Sequence, residues 1–159
     1  MGRYDFVLIY CRVNNVTNKD AFPLSRIDDS LDALSGSQWF STLDLRSGYW
    51  QAEMANVDKV NTASSMGTGL YEFNVMPFGL CNAPGTFQRL MEKVLRGLLG
   101  RTRLIYIADI IIYARTLEEH MSRLNEVMTR LREAGLRLKP SKCELIRREV
   151  NYLGFVKFS

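Results

Sequence analysis

The chain has 159 residues, 47% of them hydrophobic and 24% charged, with a net charge of +4 and a pI near 9.1. This balance excludes disorder, a collagen repeat and a long coiled coil, and fits one globular domain. No apolar run approaches the roughly 18–20 residues of a membrane span, and the N-terminal MGRYDFVLIY lacks the pattern of a signal peptide.

The elements are legible in order. Phe6–Tyr10 (FVLIY) reads as a buried strand. Leu24, Ile27, Leu31 and Leu34 recur at helical spacing and stop at Gly36. Trp39–Leu45 predicts a strand ending near Gly48, Gly67–Gly69 a turn, and Leu70–Met76 a further strand. Asn82 can cap a helix and Pro84 suits its first turn, with Phe87, Leu90, Met91, Val94 and Leu98 as the apolar stripe. Leu104–Tyr113 (LIYIADIIIY) predicts a hairpin turning at Ala108–Asp109. Leu117, Met121, Leu124, Met128 and Leu131 mark a second long helix closed by Gly135. Val150–Val156 reads as a last strand. The sum is α+β, a sheet with helices on one face.

The residue inventory narrows the chemistry. Three widely spaced cysteines do not make a disulfide framework and fit a reducing compartment. A single histidine, His120, excludes metal sites that need two or more and lies in a charged helical pattern (LEEHMSRL), a poor place for a catalytic triad. Residues 101–159 carry 12 basic and 7 acidic side chains, whereas residues 1–100 carry 9 and 10, so the positive charge lies in the C-terminal part. That is a mild pointer to a polyanionic partner.

Two aspartates stand out. Asp109 interrupts an apolar hairpin, and Asp44 interrupts an apolar strand between Leu43 and Leu45. A carboxylate there is costly unless paired or bound to a metal. Each alone reads equally as a solvated strand-end residue. Together, converging at one end of a sheet without histidine, they suggest a Mg²⁺ site of the kind used for phosphoryl transfer.

Six segments then carry a resemblance: Asp20–Gly36, Phe40–Trp50 (FSTLDLRSGYW), Gly69–Met91 (GLYEFNVMPFGLCNAPGTFQRLM), Tyr106–Asp109 (YIAD), Ala134–Cys143 and Tyr152–Phe155 (YLGF). In this order they resemble the reverse transcriptase of gypsy-type long-terminal-repeat retrotransposons, with retroviral and pararetroviral polymerases as more distant relatives. The resemblance implies a right-hand polymerase palm, a ferredoxin-like antiparallel sheet with helices on one face, plus part of the fingers and no thumb. Its fingers would span about 1–19 and 52–82 and its palm about 20–51 and 83–159. It implies RNA-directed DNA synthesis from dNTPs on a primer–template duplex, with two Mg²⁺ ions that Mn²⁺ can replace. In an intact element, thumb, RNase H and integrase regions would accompany the chain in a cytoplasmic virus-like particle.

By the same resemblance, Asp44, the Leu45 carbonyl and Asp109 would hold metal. Ser47, Gly48, Tyr49, Phe78, Gly79 and Lys142 would meet the nucleotide. Gln88, Tyr106, Tyr152, Leu153, Gly154 and Phe155 would meet template or primer. The chain also departs from the family. The family's hairpin carries two adjacent aspartates, and Ala108 replaces the first, a main metal ligand. Asp5 and Cys11 stand where fingers arginines are usual, with Arg12 one position away. Ile9 stands for an aspartate, and Asn61 for a common lysine. These departures predict impaired catalysis. The alternatives are a non-catalytic palm that binds nucleic acid or protein, and an inert fragment.

Overall fold

The computed structural model describes residues 10–22, 34–65, 67–98, 103–106, 108–152 and 155–158, and for 103, 104, 106, 151, 152 and 155–158 the backbone alone. The strand expected at Phe6–Tyr10, with Asp5 and Ile9, lies outside them except for Tyr10. So does the helix expected around Leu24–Leu34 except for Leu34.

The framework is a four-stranded sheet in the order β4-β5-β1-β6. Its central strands are β1 (Trp39–Asp44) and β5 (Asp109–Ala114), flanked by β4 (Arg103–Tyr106) and β6 (Glu144–Arg147). All pairings are antiparallel. Two hairpins form separate hydrogen-bonded pairs: β2 (Ser64–Ser65) with β3 (Leu70–Tyr71), and β7 (Glu149–Tyr152) with β8 (Phe155–Phe158). Among the described residues, four α-helices accompany them: α1 (Cys11–Val16), α2 (Asn56–Lys59), α3 (Ala83–Val94) and α4 (Leu117–Glu133).

Side chains alternate across a strand, so β1 divides its residues between two cores. Leu43 and Leu45, with Ile110 and Ile112 of β5, face the helices and pack with Phe87, Met91, Leu95, Leu124, Val127 and Leu131. Phe40 faces the other way and joins Leu34, Ile111, Tyr113 and Val150. Burying each large side chain contributes about 1.5–3 kcal/mol. Asp44 shares the parity of Phe40, so the helices cover one face while the carboxylate emerges at the end of the other.

Several expectations are corrected. The helix α4 buries His120, Leu124, Val127 and Leu131, whereas Leu117 and Met121 are exposed. The buried stripe is rotated because His120 finds a partner: its Nε2 and the Ser41 hydroxyl of β1 lie 2.7 Å apart. Gly135 does close this helix, with φ +70°. Asn82 precedes α3 but does not cap it. Its amide instead donates to the Asn18 carbonyl (2.9 Å) and accepts the Asp20 N–H (3.0 Å). Pro84 occupies the first turn as expected.

The segment Leu70–Met76 is not one strand. Only Leu70–Tyr71 pairs with Ser64–Ser65, after which Val75 bridges Glu53 and Met76 enters the core. The β4–β5 hairpin pairs Tyr106 with Asp109, so Asp109 begins β5 and does not lie in the turn where it was expected. The expected last strand is a hairpin, with Tyr152 opposite Phe155. Leu153 and Gly154 lie outside the described residues.

Candidate active site

Asp44 ends β1, and Asp109 begins β5 directly opposite it in antiparallel register. Side chains so placed start about 4.5–5.5 Å apart at Cβ. The two aspartates singled out in the sequence therefore do converge. The Asp109 carboxyl is pushed above the ordinary carboxylate range, first by partial desolvation, then by the charge of Asp44, with Lys142 opposing the rise. Lys142 Nζ lies 3.5 Å from Asp44 Oδ2.

A cleft of about 380 Å³ opens beside the pair. One wall is the turn after β1. Ser47 is left-handed (φ 57°) and Gly48 also has positive φ (31°), which throws the chain sharply round after Leu45. A Cβ at Gly48 would lie 3.4 Å from the Ala108 methyl, so the two turns are in close apposition. The Leu45 N–H donates to the Ala108 carbonyl at 3.1 Å, tying the turns together. The Leu45 carbonyl accepts the Gly48 N–H at 3.3 Å, which leaves it a second lone pair.

The aromatic wall is Tyr49 and Phe78, ring centroids 5.2 Å apart, with Trp50 5.9 Å beyond Phe78. Tyr49 also packs edge-on against buried Phe87 at 5.6 Å. It is both a core residue and a cleft residue. Phe78 is half exposed, and Gly79 beside it has φ +97°.

The third wall is the segment 137–143. Leu138 bridges Leu45, the Lys139 N–H donates to the Asp44 carbonyl at 2.9 Å, and the Arg46 N–H donates to the Arg137 carbonyl at 2.9 Å. A short 3-10 turn, Pro140–Lys142, then sets Lys142 over the acidic pair. Lys139 lines the same cleft.

Three positioning residues carry no signal in periodicity or composition. Gln51 donates to the Arg46 (2.7 Å) and Arg137 (3.0 Å) carbonyls and accepts the Arg137 N–H (2.6 Å). Asn14 does the same for the Phe78–Gly79 loop, and Lys139 stitches its segment to Asp44. They act through backbone groups distant in sequence, which no local pattern encodes. Gln88, expected at the template side, is buried. Its amide faces the hairpin, 3.4 Å from the Ile105 carbonyl, so here it props the hairpin and presents no exposed amide. Tyr106, Tyr152 and Phe155 are placed by backbone register alone. A second hollow of about 400 Å³, lined by Val13, Asn14, Met54, Met76 and Leu80, is mostly apolar and contains none of the expected site residues.

Two facing carboxylates, one of them with raised proton affinity, fit a hard divalent cation. The donor set is lean. Ala108 offers only a methyl at the hairpin turn, and no group of three or more His, Cys, Asp or Glu side chains gathers among the described residues. The three cysteines are unbridged. No helix among the described residues is long and apolar enough to cross a membrane.

Comparison with known proteins agrees with this geometry. The family model described as "Reverse transcriptase (RNA-dependent DNA polymerase)" matches residues 7–156. The chain is 42% identical over 155 residues to a retrovirus-related Pol polyprotein from transposon 297 of Drosophila melanogaster, covering 98% of this chain and 15% of that protein. It is 42% identical over 118 residues to an RNA-directed DNA polymerase homolog of Oenothera berteroana, covering 72% of this chain and 83% of that one. Among solved structures it superposes on a foamy viral protease-reverse transcriptase in complex with RNA/DNA hybrid, with a TM-score of 0.85, 28% identity, and coverage of 94% and 20% of the two chains. The chain thus spans about 15% of the transposon polyprotein it matches, and within that span a palm-like α+β sheet carries its two aspartates at one end of its central strands. The chain belongs to the reverse transcriptase (RNA-dependent DNA polymerase) family.

Proposed function

We propose that this chain is the palm and partial fingers of a retroelement polymerase that extends a primer from dNTPs on an RNA or DNA template, and that Ala108 lowers its catalytic rate severely. The observation that carries this reading is the register of Asp44 against Asp109, with Ala108 at the turn between β4 and β5. Residues about 20–51 and 83–159 form the palm, and about 1–19 and 52–82 contribute to the fingers. When bound, two divalent ions supply charge neutralisation at the attacking 3′ oxygen and the leaving pyrophosphate. Asp44 and Asp109, with the Leu45 carbonyl, are the groups that would hold them.

The remaining roles belong to the chain's own residues. Tyr49, braced by Phe87, forms the floor under the nucleotide sugar. Phe78 and Gly79 line its base side, and Ser47 and Gly48 bring backbone close to the phosphates. Lys142 is placed to neutralise phosphate charge and to give a proton to the leaving group. The β7–β8 hairpin, with Tyr152, Leu153, Gly154 and Phe155, would support the primer end, Tyr106 would meet it from the β4–β5 hairpin, and buried Gln88 would act only by propping that hairpin. An alanine methyl cannot replace a carboxylate ligand. Losing such a group costs several orders of magnitude in rate, several kcal/mol of barrier.

Primer extension with Mg²⁺ or Mn²⁺ tests this. The unmodified chain should extend weakly or not at all, Ala108→Asp should gain extension, and Asp44→Ala in that background should abolish it. Robust extension by the unmodified chain, lost in Asp44→Ala, overturns the impairment. Failure of Ala108→Asp to gain activity despite intact folding counts against position 108 as the missing ligand. A second reading, nucleic-acid binding without chemistry, is favoured by Lys139 and Lys142 beside the carboxylates. It predicts oligonucleotide affinity that falls with added salt.

A further inference from the structure

The proposed metal pair already has a cation beside it. Lys142 Nζ sits 3.5 Å from Asp44 Oδ2, and its position is not accidental. The Lys139 N–H is bonded to the Asp44 carbonyl, the Lys142 N–H to the Lys139 carbonyl (2.9 Å) and the Cys143 N–H to the Pro140 carbonyl (3.1 Å). The Cys143 thiol adds a contact to the Lys139 carbonyl at 3.3 Å. The tight turn therefore fixes the lysine backbone to the very strand end that carries Asp44. Charge counting points the same way. Asp44 in the cleft and Asp109 directly opposite it on β5 supply two negative charges, Lys139 and Lys142 supply two positive ones, and Ala108 supplies none.

We propose that Lys142 is an internal counter-cation of the Asp44–Asp109 pair and competes with a divalent ion for it. This rests on the reading that these two carboxylates hold the ion. With a carboxylate at position 108 the cleft would carry a net negative charge and the lysine could not neutralise it. With alanine there, one ammonium suffices to occupy Asp44. An arriving polyphosphate would draw the lysine away, so a nucleotide and a divalent ion would each favour binding of the other.

The test uses Mn²⁺ as a paramagnetic probe of the full chain, with free ion counted by its electron spin resonance signal at fixed ionic strength. Circular dichroism melting checks that each variant folds. Lys142→Met should tighten Mn²⁺ binding about fivefold, the scale of an exposed ion pair. Lys139→Met, which removes the same charge from the same cleft, should shift it less. Asp44→Asn should remove the bound ion. Unchanged or weakened Mn²⁺ affinity in Lys142→Met, with Asp44→Asn still abolishing binding, overturns the competition while leaving the metal pair standing. Equal shifts in Lys139→Met and Lys142→Met reduce it to general cleft charge and also overturn it. Mn²⁺ binding indifferent to Asp44→Asn overturns the metal reading itself, and the proposal with it.

Discussion

The Asn14 side chain is bonded at both of its ends to the loop that carries Phe78. Its Nδ2 donates to the Gly79 carbonyl at 2.8 Å, and its Oδ1 accepts the Cys81 N–H at 2.9 Å, across 65 and 67 residues of sequence. A helix of only six residues, α1, thereby controls one wall of the cleft.

Asn14→Ala removes both bonds and should destabilise the chain by about 1–2 kcal/mol, the scale of two partly solvated hydrogen bonds. Asn14→Asp keeps the acceptor and loses the donor, so it should fall between. Urea denaturation measures the stabilities. Trp50, in ring contact with Phe78, reports on the loop by fluorescence. Two variants of equal stability would contradict the two-ended clamp.

Phe87 is a fully buried residue of the larger core and the brace of Tyr49. Phe87→Ala should cost about 3–5 kcal/mol by loss of transfer energy and creation of a cavity. Phe87→Leu should cost less in stability. Either change frees Tyr49 to tilt, so near-ultraviolet circular dichroism should change in both.

The His120 imidazole is held below its ordinary proton affinity, first by burial and then by the positive charge of Arg123. The unfolded chain therefore takes up the proton first as pH falls. The stability linked to this group is complete above about pH 6.5 and is lost as pH falls below it. Asp109 acts with the opposite sign, since its raised proton affinity makes its contribution fall as pH rises above the ordinary carboxylate range. His120 is the chain's one histidine, so the melting temperature of Asp109→Asn should drop from pH 7.5 to pH 5.5, and His120→Leu in that background should flatten the profile. An unchanged slope would locate the titration elsewhere.

Gly48 has positive φ and faces the Ala108 methyl. Gly48→Ala should destabilise by about 1–2 kcal/mol from the left-handed backbone alone. Combined with Ala108→Asp, the loss should exceed the sum of the single changes, because both variants place atoms in one narrow gap. A strictly additive double-mutant cycle, read by denaturation, would show that the two turns do not press on each other.

The apolar strands β1 and β5, the helix starting near Pro84 and the family were legible in the sequence. Each rests on local periodicity or on an ordered set of motifs, and side-chain repeat and turn chemistry are short-range properties. It also marked Asp44 and Asp109 as anomalies, because a charge interrupting an apolar run is visible without a structure. Tertiary structure alone decided the rest. His120 turned inward because Ser41 waits on the facing strand, which rotated the buried stripe of α4 away from Leu117 and Met121. Asn82 gave up capping for a strap 62–64 residues away. Lys142, one of 21 basic residues, became special only because a turn bonded to the Asp44 carbonyl sets it over that carboxylate. These choices depend on partners distant along the chain, and the energies that settle them arise only once the sheet has brought those partners together.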